Sequence, residues 1–173
     1  MVEKEFMNRI ANGQEDILRQ FLDLLGALEI AYCIIGGLAV NAYVEPVVSL
    51  DLDMAVAADS IDRLSRAAKQ MMFTLKEFPH SLNLSTPRSD LRIQLQRDPR
   101  YQSFITNASN KNVMGYEMKV AALEDVIQGK IWAYSDEQRR KSKRHKDLAD
   151  IFRLIESYPH LEDLLPESLK KML

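Results

Sequence analysis

Apolar residues fall at helical spacing from Gln14 to Leu28, where Ile17, Leu18, Phe21, Leu24, Leu25 and Leu28 make one stripe and Asn12-Gly13 mark the start. The period then changes. Tyr32 to Ile35 is a short β-rich apolar run closed by Gly36-Gly37, and Leu38 to Tyr43 returns to helix-forming composition. From Ser49 to Met54 the pattern alternates, so Ser49, Asp51 and Asp53 share one face of a strand and Leu50, Leu52 and Met54 the other. Ala57 to Ser60 opens a second amphipathic helix, whose buried stripe is Ile61, Leu64, Ala68, Met71 and Met72.

Phe73 to Phe78 predicts a strand, and the HSLNLSTPRSD that follows predicts a turn region, being rich in Ser, Asn and Pro. Leu91 to Gln96 alternates again, with Leu91, Ile93 and Leu95 inward and Asp90, Arg92, Gln94 and Gln96 on the opposite face. Asp98 to Tyr101 reads as a turn, Phe104 to Met114 as a polar connection ending in a short strand, and Tyr116 to Ala121 as another strand. Leu123 to Tyr134 carries a helical stripe of Val126, Ile127, Ile131 and Trp132, and Leu148, Ile151, Phe152 and Ile155 mark a further helix. Tyr158-Pro159-His160 and Leu165-Pro166 break the remainder into short pieces. Alternating strands and helices predict an α/β (α+β) fold, a small mixed sheet packed with helices. Residues 1–120 form the expected core with its N-terminal helix, and 121–173 a C-terminal helical region packed on it as a single compact unit.

The chain has 173 residues, 46% hydrophobic and 28% charged, enough to bury the core of an ordinary globular domain. Its net charge of −2 argues against a generic nucleic-acid coat. No apolar stretch reaches the length of a membrane span, and MVEKEFMNRI lacks the apolar core of a signal peptide, so a cytoplasmic location and no membrane partner are expected. Cys33, the single cysteine, lies in an apolar strand, which excludes a disulfide framework and a cysteine-based zinc site. His80, His145 and His160 show no metal-ligand spacing.

Chemistry concentrates between Tyr32 and Val56. Glycine lets a backbone approach a ligand with no Cβ in the way, and a helix starting after Gly36-Gly37 would turn free N–H groups toward an anion. Asp51 and Asp53 stand one strand repeat apart, about 6.6 Å by strand rise, and can reach one divalent cation or a close pair. A glycine turn for phosphate beside carboxylates for Mg²⁺ (or Mn²⁺) is what nucleotide chemistry needs. The densest basic run, Arg139 to Lys146, precedes Asp147-Leu148-Ala149-Asp150. On a helix Lys143, Asp147 and Asp150 share a face, and Lys146 and Asp150 are an i, i+4 pair. This reads either as a surface helix laced with ion pairs or as a phosphate or RNA contact surface.

The pattern G-G, thirteen residues, then D-x-D after an apolar strand resembles the nucleotidyltransferase superfamily, the DNA polymerase β-like fold. The IGGLAVNAY and SLDLDMAV segments look most like the AbiEii-type and minimal nucleotidyltransferases, several of which are toxins of toxin–antitoxin pairs. The resemblance implies that Gly36, Gly37 and Ser49 seat a nucleoside triphosphate and that Asp51 and Asp53 hold metal. It implies that Lys130 contacts the triphosphate, that Lys146 belongs to a basic loop, and that Asp147 orients a lysine or accepts a proton from the acceptor hydroxyl. Family members usually carry a third metal-binding carboxylate, where this chain has Gln94; Asp90 or Asp98 could replace it in another register. Val47 stands where the related pattern often has an arginine. The implied reaction moves a nucleoside monophosphate from the triphosphate to a hydroxyl of tRNA or protein, with an antitoxin protein as a further partner. The departures at Gln94 and Val47 favour the alternative, a degenerate protein that binds nucleotide or RNA without transfer.

Overall fold

The computed structural model describes residues 3–173. Met1 and Val2, the start of the stretch read as lacking a signal-peptide core, lie outside the described residues. Helix α1 (Glu3–Ile10) precedes α2 (Ile17–Ala27), which begins later than Asn12-Gly13 suggest. Asp16 sets that start, its carboxylate accepting Arg19 N at 3.0 Å and the Tyr116 hydroxyl at 2.9 Å. One side chain thus caps the helix, a contribution of about 1 kcal/mol, and ties it to the sheet.

Strands β1 (Tyr32–Ile35) and β2 (Asp51–Val56) flank the short helix α3 (Gly36–Val40). Helix α4 (Ile61–Gln70) leads into β3 (Thr74–Phe78), β4 (Ser81–Thr86) and β5 (Ser89–Gln96). After α5 (Gln102–Asn107) come β6 (Ser109–Val113) and β7 (Tyr116–Val120), then α6 (Leu123–Ser135), α7 (Lys141–Ser157) and α8 (Glu167–Lys170). The seven strands form one mixed sheet in the order β3-β4-β5-β2-β1-β7-β6.

Three segments depart from the expected pattern, as does Met72, which lies past the end of α4 and is exposed rather than part of its buried stripe. SLNLST is a strand, because Leu82 and Leu84 alternate inward while β3 and β5 satisfy its backbone on both sides. The residues after Tyr101 form α5, anchored by buried Phe104. Helix α1, whose Met7 is buried, has no counterpart among the predicted elements.

On one face of the sheet Leu52, Ile93 and Leu84 form a row across three strands, with Met54, Leu95 and Leu82 beside it; all six are buried. Helices α2 and α4 pack against β5 and β3, and Phe21 meets Phe73 edge-on at 5.8 Å. Cys33, opposite Ala55, is buried on the other face of the sheet, and burial pushes its thiol up to about 12. Helices α3, α6 and α7 pack against one another beside β2. No helix among the described residues is long and apolar enough to cross a membrane.

Candidate active site

Strand β2 runs antiparallel to β1 and parallel to β5, with Ile35 opposite Asp53, Asp51 opposite Arg92 and Asp53 opposite Gln94. This register puts the end of β1, both aspartates and Gln94 and Gln96 of β5 along one cleft, with Arg92 meeting Asp51 outside its lining. Gly36, Gly37, Ser49, Asp51, Asp53, Gln94, Lys130, Lys146 and Asp147 all line it. Lys143 and Arg139 of the basic run also line it, as does Asp125, which no pattern in the sequence marks. On α6, Val126, Gly129, Lys130 and Ala133 face the cleft at helical spacing, a signal that could have found the wall.

Gly36 has φ +69°, and a Cβ built there would lie 2.4 Å from Asp53 Oδ2. The bend therefore needs glycine both for its backbone and for the carboxylate packed against it. A Cβ at Gly37 would lie 3.7 Å from Ser49 Oγ and 4.0 Å from Lys146 Nζ. The loop between α3 and β2 is pinned by buried Asn41, which donates to Val47 O at 2.7 Å and accepts Val47 N at 3.0 Å. Val47 itself is exposed.

Burial pushes the Asp53 carboxyl above its ordinary value; nearby Lys130 opposes this and Asp51 adds to it. Asp51 Oδ1 accepts Arg92 Nε at 2.5 Å. Gln94 presents its amide to the cleft with no side-chain hydrogen bond among the described residues. The two other candidates for a third carboxylate stand elsewhere. Asp90 is exposed at the start of β5, its N–H donating to Ala11 O, and does not line the cleft. Asp98 accepts Arg100 N at 2.9 Å and Arg100 Nη2 at 2.7 Å, and these contacts hold its carboxyl below the ordinary value.

Lys130 is buried. Its Nζ lies 3.0 Å from Asp147 Oδ1 and 2.7 Å from Asp150 Oδ2. Burial alone would lower the ammonium pKa, but Asp150 and Asp147 outweigh it and raise it. Asp147 Oδ2 also accepts Arg139 Nε at 2.7 Å, and Asp150 Oδ1 accepts Arg153 at 2.8 Å. Both acids of D-x-x-D are thus buried in a charge network rather than laid on the surface of α7. Asp150 takes Lys130 and Arg153 as partners, and among the described residues no Lys146–Asp150 ion pair forms. Lys146 is left to face Gly37.

The donor set fits one divalent cation: two carboxylates share a strand face, and the phosphates of a bound nucleotide would complete the shell. Among the described residues no group of three His, Cys, Asp or Glu side chains is placed to hold a metal ion.

The architecture is that of solved nucleotidyltransferases. The antibiotic-resistance factor ANT(2'')-Ia superposes with TM-score 0.65 at 11% identity over 90% of each chain. The lincosamide antibiotic adenylyltransferase LnuA gives 0.57 at 12% identity, covering 82% of this chain and 98% of that one. An antigenic nucleotidyltransferase-like protein from Paracoccidioides brasiliensis gives 0.53 at 19% identity, over 81% and 74%. Such distant likeness establishes the fold. Residues 27–173 match the family described as nucleotidyl transferase AbiEii toxin, type IV TA system. The chain belongs to the AbiEii nucleotidyltransferase family and is an enzyme of that class. No curated protein sequence matches it.

Proposed function

We propose that this enzyme transfers a nucleoside monophosphate from a nucleoside triphosphate to a hydroxyl of a macromolecule, tRNA or protein, and acts as the toxin of a toxin–antitoxin pair. The observation that carries this reading is the cleft itself, with Asp51 and Asp53 on one wall and Gly36-Gly37 and three cations of the C-terminal helices around it. The triphosphate lies along Gly37 and Lys146, where no Cβ intervenes and an ammonium faces the backbone. Lys143 and Arg139 extend that positive wall. Asp147 is engaged by Lys130 and Arg139, so its role is to orient these cations, and the hydroxyl proton leaves to solvent. The acceptor oxygen bonds to the α-phosphorus as the bond to the bridging oxygen breaks and pyrophosphate departs. A Mg²⁺ or Mn²⁺ ion held by Asp51 and Asp53 would lower the hydroxyl pKa and offset charge on the leaving group. A macromolecular acceptor suits the basic run Arg139 to Lys146, which continues from the cleft onto the exposed start of α7.

The test is incubation with α-labelled triphosphates, Mg²⁺ and total RNA or cell protein. Labelled product from one of the four nucleotides is expected, together with its loss in an Asp51→Ala, Asp53→Ala double variant that keeps its fold. Full transfer by that variant would refute the assignment. Gln94 beside Asp53 and Arg92 on Asp51 favour a second reading, nucleotide binding without transfer. Retained binding with no label moved from any nucleotide would support it.

A further inference from the structure

We propose that this site takes a single divalent cation and that the Arg92 guanidinium stands where a second ion would otherwise be needed. The inference rests on the nucleotidyl-transfer reading above. A two-ion site, with ions about 3.5–4 Å apart, needs carboxylates that bridge both ions and further anionic ligands on the acceptor side. Here the strand next to β2 offers none. The parallel register sets a guanidinium beside Asp51 and a neutral amide beside Asp53. Asp90 and Asp98 do not line the cleft, and Asp125, which does, makes no group of three acids with Asp51 and Asp53 placed to hold an ion among the described residues. Arg92 already claims one oxygen of Asp51, so that carboxylate has one oxygen left for an ion.

The guanidinium side chain is 66% exposed and stands against Asp51 at the rim of the cleft rather than in its lining. It carries a permanent charge and five donors and needs no acidic ligands to hold it beyond Asp51. Such a group can offset the negative charge that gathers at the α-phosphoryl group as the acceptor oxygen bonds, which is the work of an acceptor-side cation.

The ions are counted by equilibrium dialysis of the full chain against Mn²⁺ and the four α,β-methylene nucleoside triphosphates. One ion retained per chain is expected for the wild type. Two ions, spin-coupled in the EPR spectrum, are expected for Arg92→Gln, Gln94→Asp, which restores an acid beside Asp53 and frees Asp51. Arg92→Gln alone should still retain one ion and bind the analogue as tightly, while transfer at saturating nucleotide falls about 100-fold. Two ions in the wild type, or undiminished transfer in Arg92→Gln, would overturn the inference and leave the nucleotidyl reading intact. Retention of neither ion nor analogue by the wild type would overturn the nucleotidyl reading and this inference with it. The wild-type count decides even if the double variant fails to fold.

Discussion

A methyl group added at Gly36 would lie 2.4 Å from Asp53 Oδ2, whereas one added at Gly37 would meet nothing closer than Ser49 Oγ at 3.7 Å. Gly36→Ala must also adopt φ +69°, which costs an L-residue about 1–2 kcal/mol. Gly36→Ala is therefore expected to lower both melting temperature and transfer, and Gly37→Ala to keep the fold and raise the KM for nucleotide; equal melting of the two variants would contradict this. Asp53 adds a pH dependence whose sign follows from its burial. Its folded pKa lies above that of an unfolded aspartate, about 3.9, so the folded chain holds the proton more tightly. Ionising it as pH rises destabilises the metal-free fold, and that cost disappears below the unfolded value. Asp53→Asn should melt higher than wild type near about pH 8, with the gain shrinking toward about pH 4; a lower melting temperature for the variant at the higher pH would sink the idea. The two aspartates were legible in the sequence because alternation fixes which side chains share a strand face. Arg92 was not, since its grip on Asp51 crosses from β5 to β2 and no local pattern encodes that pairing.

Among the elements, α7 begins in a way a helix resists. Its first turn holds Lys141, Lys143 and Arg144 and no acid, although the positive end of the helix dipole disfavours cations there by about 0.3–1 kcal/mol each. Two lysines near that end, Lys143 and Lys146, line the cleft, so a bound polyanion would relieve the repulsion. Inorganic tripolyphosphate is thus expected to raise the melting temperature of the metal-free chain, an effect that salt weakens. In Lys143→Glu, Lys146→Glu the free protein should melt no lower than wild type and the tripolyphosphate shift should vanish; an undiminished shift would place the anion elsewhere. This helix also shows how far element-level reading reaches. Its apolar stripe was visible, whereas the burial of Asp147 and Asp150 depends on Lys130 arriving from α6. The reverse error occurred at β4, where Ser, Asn and Thr suggested a turn although Leu82 and Leu84 carried the strand period. The two flanking strands supply the ladder bonds that local composition does not reveal.

Across the whole molecule, the C-terminal helices are joined to the connection between α3 and β2 through polar contacts as well as packing. Tyr158 donates to Tyr43 O at 2.8 Å, Tyr43 to Ala121 O at 2.6 Å, and Arg153, held by Asp150, donates to Glu45 O. Lys130 sits at the centre, between the two acids of α7. Removing one partner from a buried ion pair typically costs about 3–5 kcal/mol, because the remaining charge loses its compensation. At roughly 2–4 °C per kcal/mol for a chain of this size, Lys130→Met should lower the melting temperature by about 6–20 °C. Replacing both members of a buried pair with apolar groups is often neutral, so Lys130→Met, Asp150→Leu should recover most of that loss. Transfer should not recover with it, since Lys130 lines the cleft and acts on the Asp53 carboxylate. Calorimetry and label transfer on the single and double variants separate the two roles. A double variant restored in both respects would make Lys130 a purely structural residue, and one restored in neither would show that the network tolerates no apolar substitute.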